Sequence, residues 1–235
     1  FARFYATPSV EYIVSDLDFM LSGDMSYNHY KYSLDNGQSK FLFSPNLHVR
    51  WNATATWAFS ADASINTMRI NAAQFYPTLV LQDYQYMNKG LADYHLSKEK
   101  NVGIGVVYAL KGSSVRFRVT RSFGNSPYTP TQDYVGNYIL ESLTPEDTKY
   151  NSWSMTLMGS QGIGFLKGKL NVRALYNVMN SYMVQNGERM PFDTKNLGLT
   201  SSLDIGLIEG VDITYKLTYG FHQMKMPALS RTSNL

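Results

Sequence analysis

The sequence predicts an all-β chain, an antiparallel transmembrane β-barrel of about ten up-and-down strands, and three observations carry that prediction. Apolar and polar residues alternate with period two over stretches that are long for a globular strand. Short and long connectors alternate between these stretches. The apolar parity of each stretch, bounded where the alternation is clean, carries no Lys, Arg, Asp or Glu. Strands of globular proteins average about 5–6 residues, whereas a tilted strand crossing a bilayer needs about 9–11. A basic residue facing lipid at mid-bilayer costs about 2–4 kcal/mol, which explains why charge avoids one parity. A soluble β-sandwich also alternates, so strand length and connector asymmetry decide between the two.

The clearest unit is the hairpin from Leu197 to Phe221. Leu197, Leu199, Leu203 and Ile205 share one parity, and Val211, Ile213, Tyr215, Leu217, Tyr219 and Phe221 repeat it after a connector at Gly206 to Gly210. The remaining strands follow from the N-terminus. The first runs from about Tyr5 to Val14, with Pro8 near its start, and turns at Ser15 to Leu17. The second has Phe19, Leu21, Gly23, Met25 and Tyr27 on its dry face, and Asp35-Asn36-Gly37 supplies the turn signal after it. The third carries Leu47, Val49 and Trp51; Pro45 has no N–H to give a ladder, so this strand is expected to start after it. The fourth carries Trp57, Phe59, Ala61, Ala63 and Ile65, and a long segment from Thr67 to Lys98 follows.

The fifth and sixth strands carry Val102 to Leu110 and Val115 to Val119 around a tight connector, and lead to a second long segment, Phe123 to Lys149. The seventh and eighth carry Trp153 to Leu157 and Leu170 to Val178 around a Gly-rich connector, and a loop from Gln185 to Phe192 is expected before the ninth. Residues Met224 to Leu235 show no alternation. Short turns of outer membrane barrels face the periplasm and long loops face outside. The turns near Asp16, Ala53, Lys111, Gly164 and Glu209 are therefore expected inside, and the segments around Asn36, Gln82, Tyr134 and Asn186 outside. Residues 1–235 are read as one barrel segment, a fragment or processed chain. An even strand count puts both its ends outside, and no export signal precedes Phe1, so flanking strands and a plug domain are expected elsewhere in the protein.

Composition narrows the function. The net charge of +3 is small and the basic residues are dispersed, which removes nucleic acid as a partner. There is no cysteine, hence no disulfide, thiolate metal site or cysteine nucleophile. His29, His48, His95 and His222 show no ligand spacing, and nothing pairs Asp83 with His95; no catalytic residue, metal or cofactor is expected, and the chain is read as a non-enzyme. The mean hydropathy of −0.26 and the lack of a long apolar run exclude a membrane helix but not a barrel, whose strands are half polar. Eighteen Tyr, twelve Phe and three Trp suit aromatic girdles at two interfaces. Gly103 and Gly105 fall on the wet parity of a strand with no helix after them, so they mark close approach and not a phosphate loop.

Residues 43–61, FSPNLHVRWNATATWAFSA, resemble the P-x-L-x-hydrophobic-x-Y/W … W-x-F-S-A hairpin of TonB-dependent receptor barrels of Bacteroidetes. The spacing from there to Tyr76-Pro77, Asp83-Tyr84 and Gly90-Leu91 is similar to that family's loop. The resemblance implies a barrel of about 22 strands filled by a plug that engages the TonB complex. It also implies capture of a small-molecule or oligomeric nutrient (glycan, siderophore or peptide) from outside, an outer membrane lipid environment, and room for a surface lipoprotein partner. A non-transporting barrel acting as adhesin, binding protein or assembly component is the alternative.

Two groups of residues are singled out. Tyr84, Tyr86, Tyr94, Tyr128 and Tyr134 fall in the two long segments with Phe75, Tyr76 and Tyr138, where aromatic faces suit a ring-bearing ligand or pack the loops on one another. Arg116, Arg118, Lys169, Arg173 and Lys216 fall on the wet parity, so they would face the lumen and steer an anionic solute or the plug, or pair with Asp204 and Asp212.

Overall fold

The structure is a computed structural model and describes residues 2–30, 38–69, 78–90, 96–208, 211–226 and 229–234. The described chain forms one sixteen-stranded sheet. In chain order the strands are β1 (Ala2–Ala6), β2 (Ser9–Val14), β3 (Leu17–Tyr30), β4 (Gln38–Trp51), β5 (Trp57–Arg69), β6 (Val80–Asp83), β7 (Tyr86–Lys89) and β8 (Leu96–Leu110). They continue as β9 (Ser113–Ser126), β10 (Thr129–Val135), β11 (Tyr138–Thr144), β12 (Thr148–Ile163), β13 (Gly168–Gln185), β14 (Glu188–Ile208), β15 (Val211–Met226) and β16 (Leu229–Asn234). Only a 3-10 turn at Gly164–Leu166 breaks the pattern among the described residues.

An antiparallel meander forms the body: β3, β4, β5, β8, β9, β12, β13, β14, β15 and β16 pair in that order. β1 and β2 both pair with β3 and amount to one strand broken at Thr7 and Pro8, where the Pro8 carbonyl still accepts from the Gly23 N–H at 3.1 Å. The sheet is open, as a partial barrel is.

Cross-strand register turns sequence alternation into a continuous surface. Leu17, Trp51, Phe59, Val106, Phe117, Leu157, Ala174, Leu199 and Tyr219 are successive partners across nine strands, and every one is apolar. This row starts at the first residue of β3 but stands eight residues inside β15, counting from Val211 to Tyr219. Eight residues at about 3.3 Å against eight interstrand steps of about 4.8 Å correspond to a strand tilt of roughly 35°, the value that barrel closure needs. The face is dry without being buried: the buried apolar side chains among the described residues are Leu42 at 5% and Val184 at 8% exposure, while Leu21, Ile104, Tyr215 and Leu217 stand open. A sandwich would cover such a face with a second sheet, and nothing in the described chain covers this one.

Several expectations need correction. Pro45 does not start a strand but sits inside β4, opposite Gly23 of β3. Its missing N–H is felt on the other side: the β4–β5 ladder ends at Asn46↔Ser64, and beyond it the Thr67 N–H donates to the Ser44 hydroxyl at 3.1 Å. The expected loop from Gln185 to Phe192 is strand apart from a turn at Asn186 and Gly187, whose φ values of 49° and 81° are those of a type I′ hairpin turn. Residues after Met224 complete β15 and form β16. The long segments contain β6, β7, β10 and β11. Because β8, β9, β12, β14 and β15 run further than clean alternation indicates, the apolar parity does carry charge at one end, at Lys98, Lys100, Arg121, Lys149, Arg189, Asp193, Lys195 and Lys225. The turn signal at residues 35–37 and the turn at Glu209 lie outside the described residues.

Candidate functional site

At the end of the sheet away from its tight turns, the two long segments assemble a four-stranded branch. β10 leaves β9 and pairs in parallel with β13 at Thr131↔Val184 and Gln132↔Gln185. β11 pairs antiparallel with β10, β7 pairs in parallel with β11, and β6 closes the hairpin with β7. These four short strands are held by backbone bonds and side-chain ties. Thr131 and Thr144 hydroxyls lie 2.6 Å apart across β10–β11, and the buried Thr129 hydroxyl bonds to that of Thr148. The tip of the β13–β14 hairpin anchors the branch: Asn186 Oδ1 accepts from the Tyr134 N–H at 2.9 Å, and the Asn186 N–H donates to the Gln132 carbonyl at 3.2 Å.

The branch carries three of the five tyrosines singled out in the sequence and sets two of them side by side. Tyr86 and Tyr134 are both register partners of Ile139, so all three side chains share one face, with the tyrosine Cα atoms about 10 Å apart. The next row on that face is Asn88, Glu141 and Gln132. Two aromatic rings therefore stand beside two amides and a carboxylate. Tyr84 is 75% exposed in the β6–β7 turn, its N–H donating to Asp83 Oδ1 at 2.6 Å. Tyr138 points to the opposite face, next to Ile139 in sequence. Tyr128 is half-buried in the connector from β9 to β10, bonded through its backbone to the Ser126 hydroxyl, and not on the branch. Tyr94 lies outside the described residues, as do Phe75, Tyr76 and His95.

The basic residues lie on the polar face of the meander. Arg116 on β9 and Arg173 on β13 flank Met158 of β12 in one row and line a groove of about 380 Å3 with Ser160, Asn171 and Thr200. Arg118 lies one row away and bonds to Asp62 of β5 at 2.6 Å. Arg50, Arg116 and Arg118 line a second recess of about 240 Å3 with His48 and Ser60. Lys169 stands opposite Asp204, but that carboxylate is engaged by Asn171 Nδ2 at 3.1 Å and the Thr214 hydroxyl at 2.9 Å. Lys216 stands opposite Ser202. Arg118–Asp62 and Arg189–Glu146 form ion pairs, whereas Asp204 does not pair with the lysine facing it; the Asp212 side chain lies outside the described set. Sequence parity located these cations, but neither the Asp62 partner nor the role of Asn186 left a signal in local pattern. The described residues contain no cluster of His, Cys, Asp or Glu able to hold a metal ion.

No protein-family description and no curated protein matches the sequence. Among solved structures, the chain is similar to FpvAI in its complex with pyocin S2, with a TM-score of 0.62, 9% identity, and coverage of 98% of this chain and 36% of that one. It is similar to FpvA of Pseudomonas aeruginosa bound to a heterologous pyoverdine with iron, with a TM-score of 0.60, 9% identity, and coverage of 98% and 37%. A mutant of the ferric enterobactin receptor PfeA from the same organism gives 0.59, 7%, and 99% and 38%. The chain spans a little over a third of the length of each of these proteins. At such identity the likeness is one of fold.

Proposed function

We propose that this chain is part of the barrel of a TonB-dependent outer membrane receptor that captures a nutrient outside the cell and passes it through a plugged lumen. The observation that carries the reading is the nine-strand apolar row, none of it buried, tilted as a barrel needs, with an aromatic branch at one end of the described sheet. A surface of that kind suits lipid, and asymmetry between its ends supports an orientation with the tight turns in the periplasm and the branch outside. The similar solved structures support the same reading, since FpvA is bound to a pyoverdine and PfeA is a ferric enterobactin receptor. The hairpin at residues 43–61 supports a Bacteroidetes-type receptor.

Capture falls to the face that carries Tyr86, Ile139 and Tyr134 beside Asn88, Glu141 and Gln132. Rings give stacking area and the amides and carboxylate give hydrogen bonds, which suits a ligand with an apolar ring face and polar edges, such as a glycan or a siderophore. Below it, Arg116 and Arg173 line the lumen wall, where they meet the plug or a passing anion. Energy comes from the TonB complex through the plug, and a surface lipoprotein can close the branch from outside. The test uses the full-length receptor in its own cells: uptake of labelled ferric siderophores, oligosaccharides and peptides is compared in cells with and without the gene. Uptake of one class that needs the gene and stops when a protonophore collapses the proton gradient is expected. Gene-dependent binding with no energy-dependent uptake would leave an adhesin or binding barrel.

A further inference from the structure

The branched end of the apolar face holds a basic cleft that ligand capture does not use. β12 and β13 stay paired up to Asn151↔Asn180 and then part. Beyond that point β12 remains with β9 as far as Thr148↔Ser126, while β13 remains with β14 and meets β10. The fork leaves a cavity of about 730 Å3 whose walls carry Lys98, Lys100, Arg121 and Lys149. Register lays these in three adjoining rows: Lys98, Asn125 and Lys149; then Lys100, Phe123 and Asn151; then Val102, Arg121 and Trp153. Strand and residue spacings put the four Cα atoms within roughly 15 Å of one another.

These cations are exposed, and the ion pairs Arg118–Asp62 and Arg189–Glu146 lie elsewhere. The carboxylate in the cleft wall, Asp193, accepts from Asn180 Nδ2 at 2.7 Å, and Asp147 at the rim accepts from Asn125 Nδ2 at 3.3 Å. The Arg121 guanidinium lies 5.9 Å from the Phe123 ring centre and 5.2 Å from that of Trp153, and its Nε donates to Asn151 Oδ1 at 3.2 Å. Towards the tight turns the same parity of β8, β9 and β12 turns apolar at Ile104, Val119 and Met155 and carries no further charge. Positive charge is thus set at one edge of the lipid-facing band, in a recess, among girdle aromatics.

We propose that this cleft binds the phosphate-bearing headgroup of an outer-leaflet lipid whose acyl chains lie along the band beside it. The proposal rests on the outer membrane reading and its orientation. Lipid phosphates sit at the hydrocarbon edge, where Lys and Arg make charge-assisted bonds to them. A protein partner is disfavoured by position, since it would have to displace lipid from Val102, Ile104 and Val119. Each basic residue near an anionic lipid surface contributes about a fivefold factor in binding.

The test uses the full-length receptor, delipidated in detergent and placed in phosphatidylcholine nanodiscs that contain diphosphorylated lipid A or its dephosphorylated form at equal mole fraction. Native mass spectrometry counts bound glycolipid per barrel. Wild-type protein is expected to retain the diphosphorylated form at least tenfold over the other, and a Lys98→Gln, Lys100→Gln, Lys149→Gln variant to lose that preference. Single Lys98→Gln and Lys149→Gln variants, both at exposed positions, are expected to lose severalfold each and cover the case in which the triple variant does not assemble. Equal retention by wild type and variants overturns the proposal. So does displacement of the lipid by millimolar inorganic phosphate, which assigns the cleft to a free anion, and so does unchanged lipid retention with lost binding of an acidic protein. Failure of the wild-type receptor to enter nanodiscs at all overturns the outer membrane reading itself.

Discussion

The Arg118 guanidinium on β9 reaches across β8 to the Asp62 carboxylate on β5, 2.6 Å away. Glycine on the middle strand makes the crossing feasible. A Cβ on Gly103 would lie 2.8 Å from both Asp62 carboxylate oxygens, and one on Gly105 would lie 2.7 Å from the Ser60 hydroxyl. The device recurs one strand further on. Tyr150 of β12 donates to Glu99 Oε2 of β8 at 3.1 Å over Gly124 of β9, where a Cβ would lie 2.5 Å from the tyrosine oxygen. In both cases a strand without side chains at the crossing lets its two neighbours bond over it, which ties three strands together on the polar face.

Gly103→Ala is therefore expected to push the Asp62 carboxylate aside and break the bridge. The pair is partly open to water, with Arg118 45% exposed, so the loss is modest, about 1 kcal/mol. Asp62→Ala in the same chain removes the group that the new methyl would strike. Urea unfolding of the full-length protein in detergent measures all three variants. The double variant should be no less stable than Asp62→Ala alone; a further loss would mean that the methyl group meets something other than the carboxylate.

Face assignment predicts opposite outcomes at neighbouring positions. Leu217 lies on the apolar face and Thr218 in the polar row that contains Arg116 and Arg173. Leu217→Arg should cost about 2–4 kcal/mol in a membrane and deplete assembled barrel, while Thr218→Arg should be tolerated. Heat-modifiable mobility of the protein in isolated outer membranes reports assembly. Equal yields of the two variants would contradict the faces described here.

Orientation is open to chemical labelling because the chain has no cysteine of its own. Tyr84→Cys and Tyr134→Cys, on the branch, should react with an impermeant maleimide on intact cells. Asp16→Cys and Phe165→Cys, in the tight turns, should react only after the outer membrane is permeabilised. The reverse pattern would invert the barrel.

On the proposed function, joint replacement of Tyr86 and Tyr134 by Ala should weaken ligand capture about tenfold, since two stacking contacts of about 0.5–1.5 kcal/mol each are lost. Asn186→Ala should weaken capture less, by freeing the Tyr134 backbone from the β13–β14 tip. Binding to intact cells, normalised to surface expression, gives both numbers. Unchanged binding at normal expression would assign these tyrosines to loop packing.

Alternation is a local property, and the sequence by itself determined what alternation can encode. It located the ten long strands, with β1 and β2 as one, and assigned the faces of Leu217 and Arg173, because side chains on neighbouring positions must point to opposite sides of a pleated chain. It also placed Tyr84, Tyr86 and Tyr134 in connecting segments. The tertiary structure alone decided what depends on partners distant in the chain. The branch joins β7 to β11 and β10 to β13 in parallel, through residues about fifty positions apart, and a pairing between segments so distant in the chain leaves no mark in local alternation. Strand ends were hidden for another reason: beyond the bilayer edge nothing demands an apolar side chain at Lys98 or Lys149, so the alternation stops while the hydrogen-bonded ladder continues. The tilt of the apolar row, the passage of Arg118 over Gly103 and the fork beside Asn151 all follow from register, which is set by which residue meets which across the sheet.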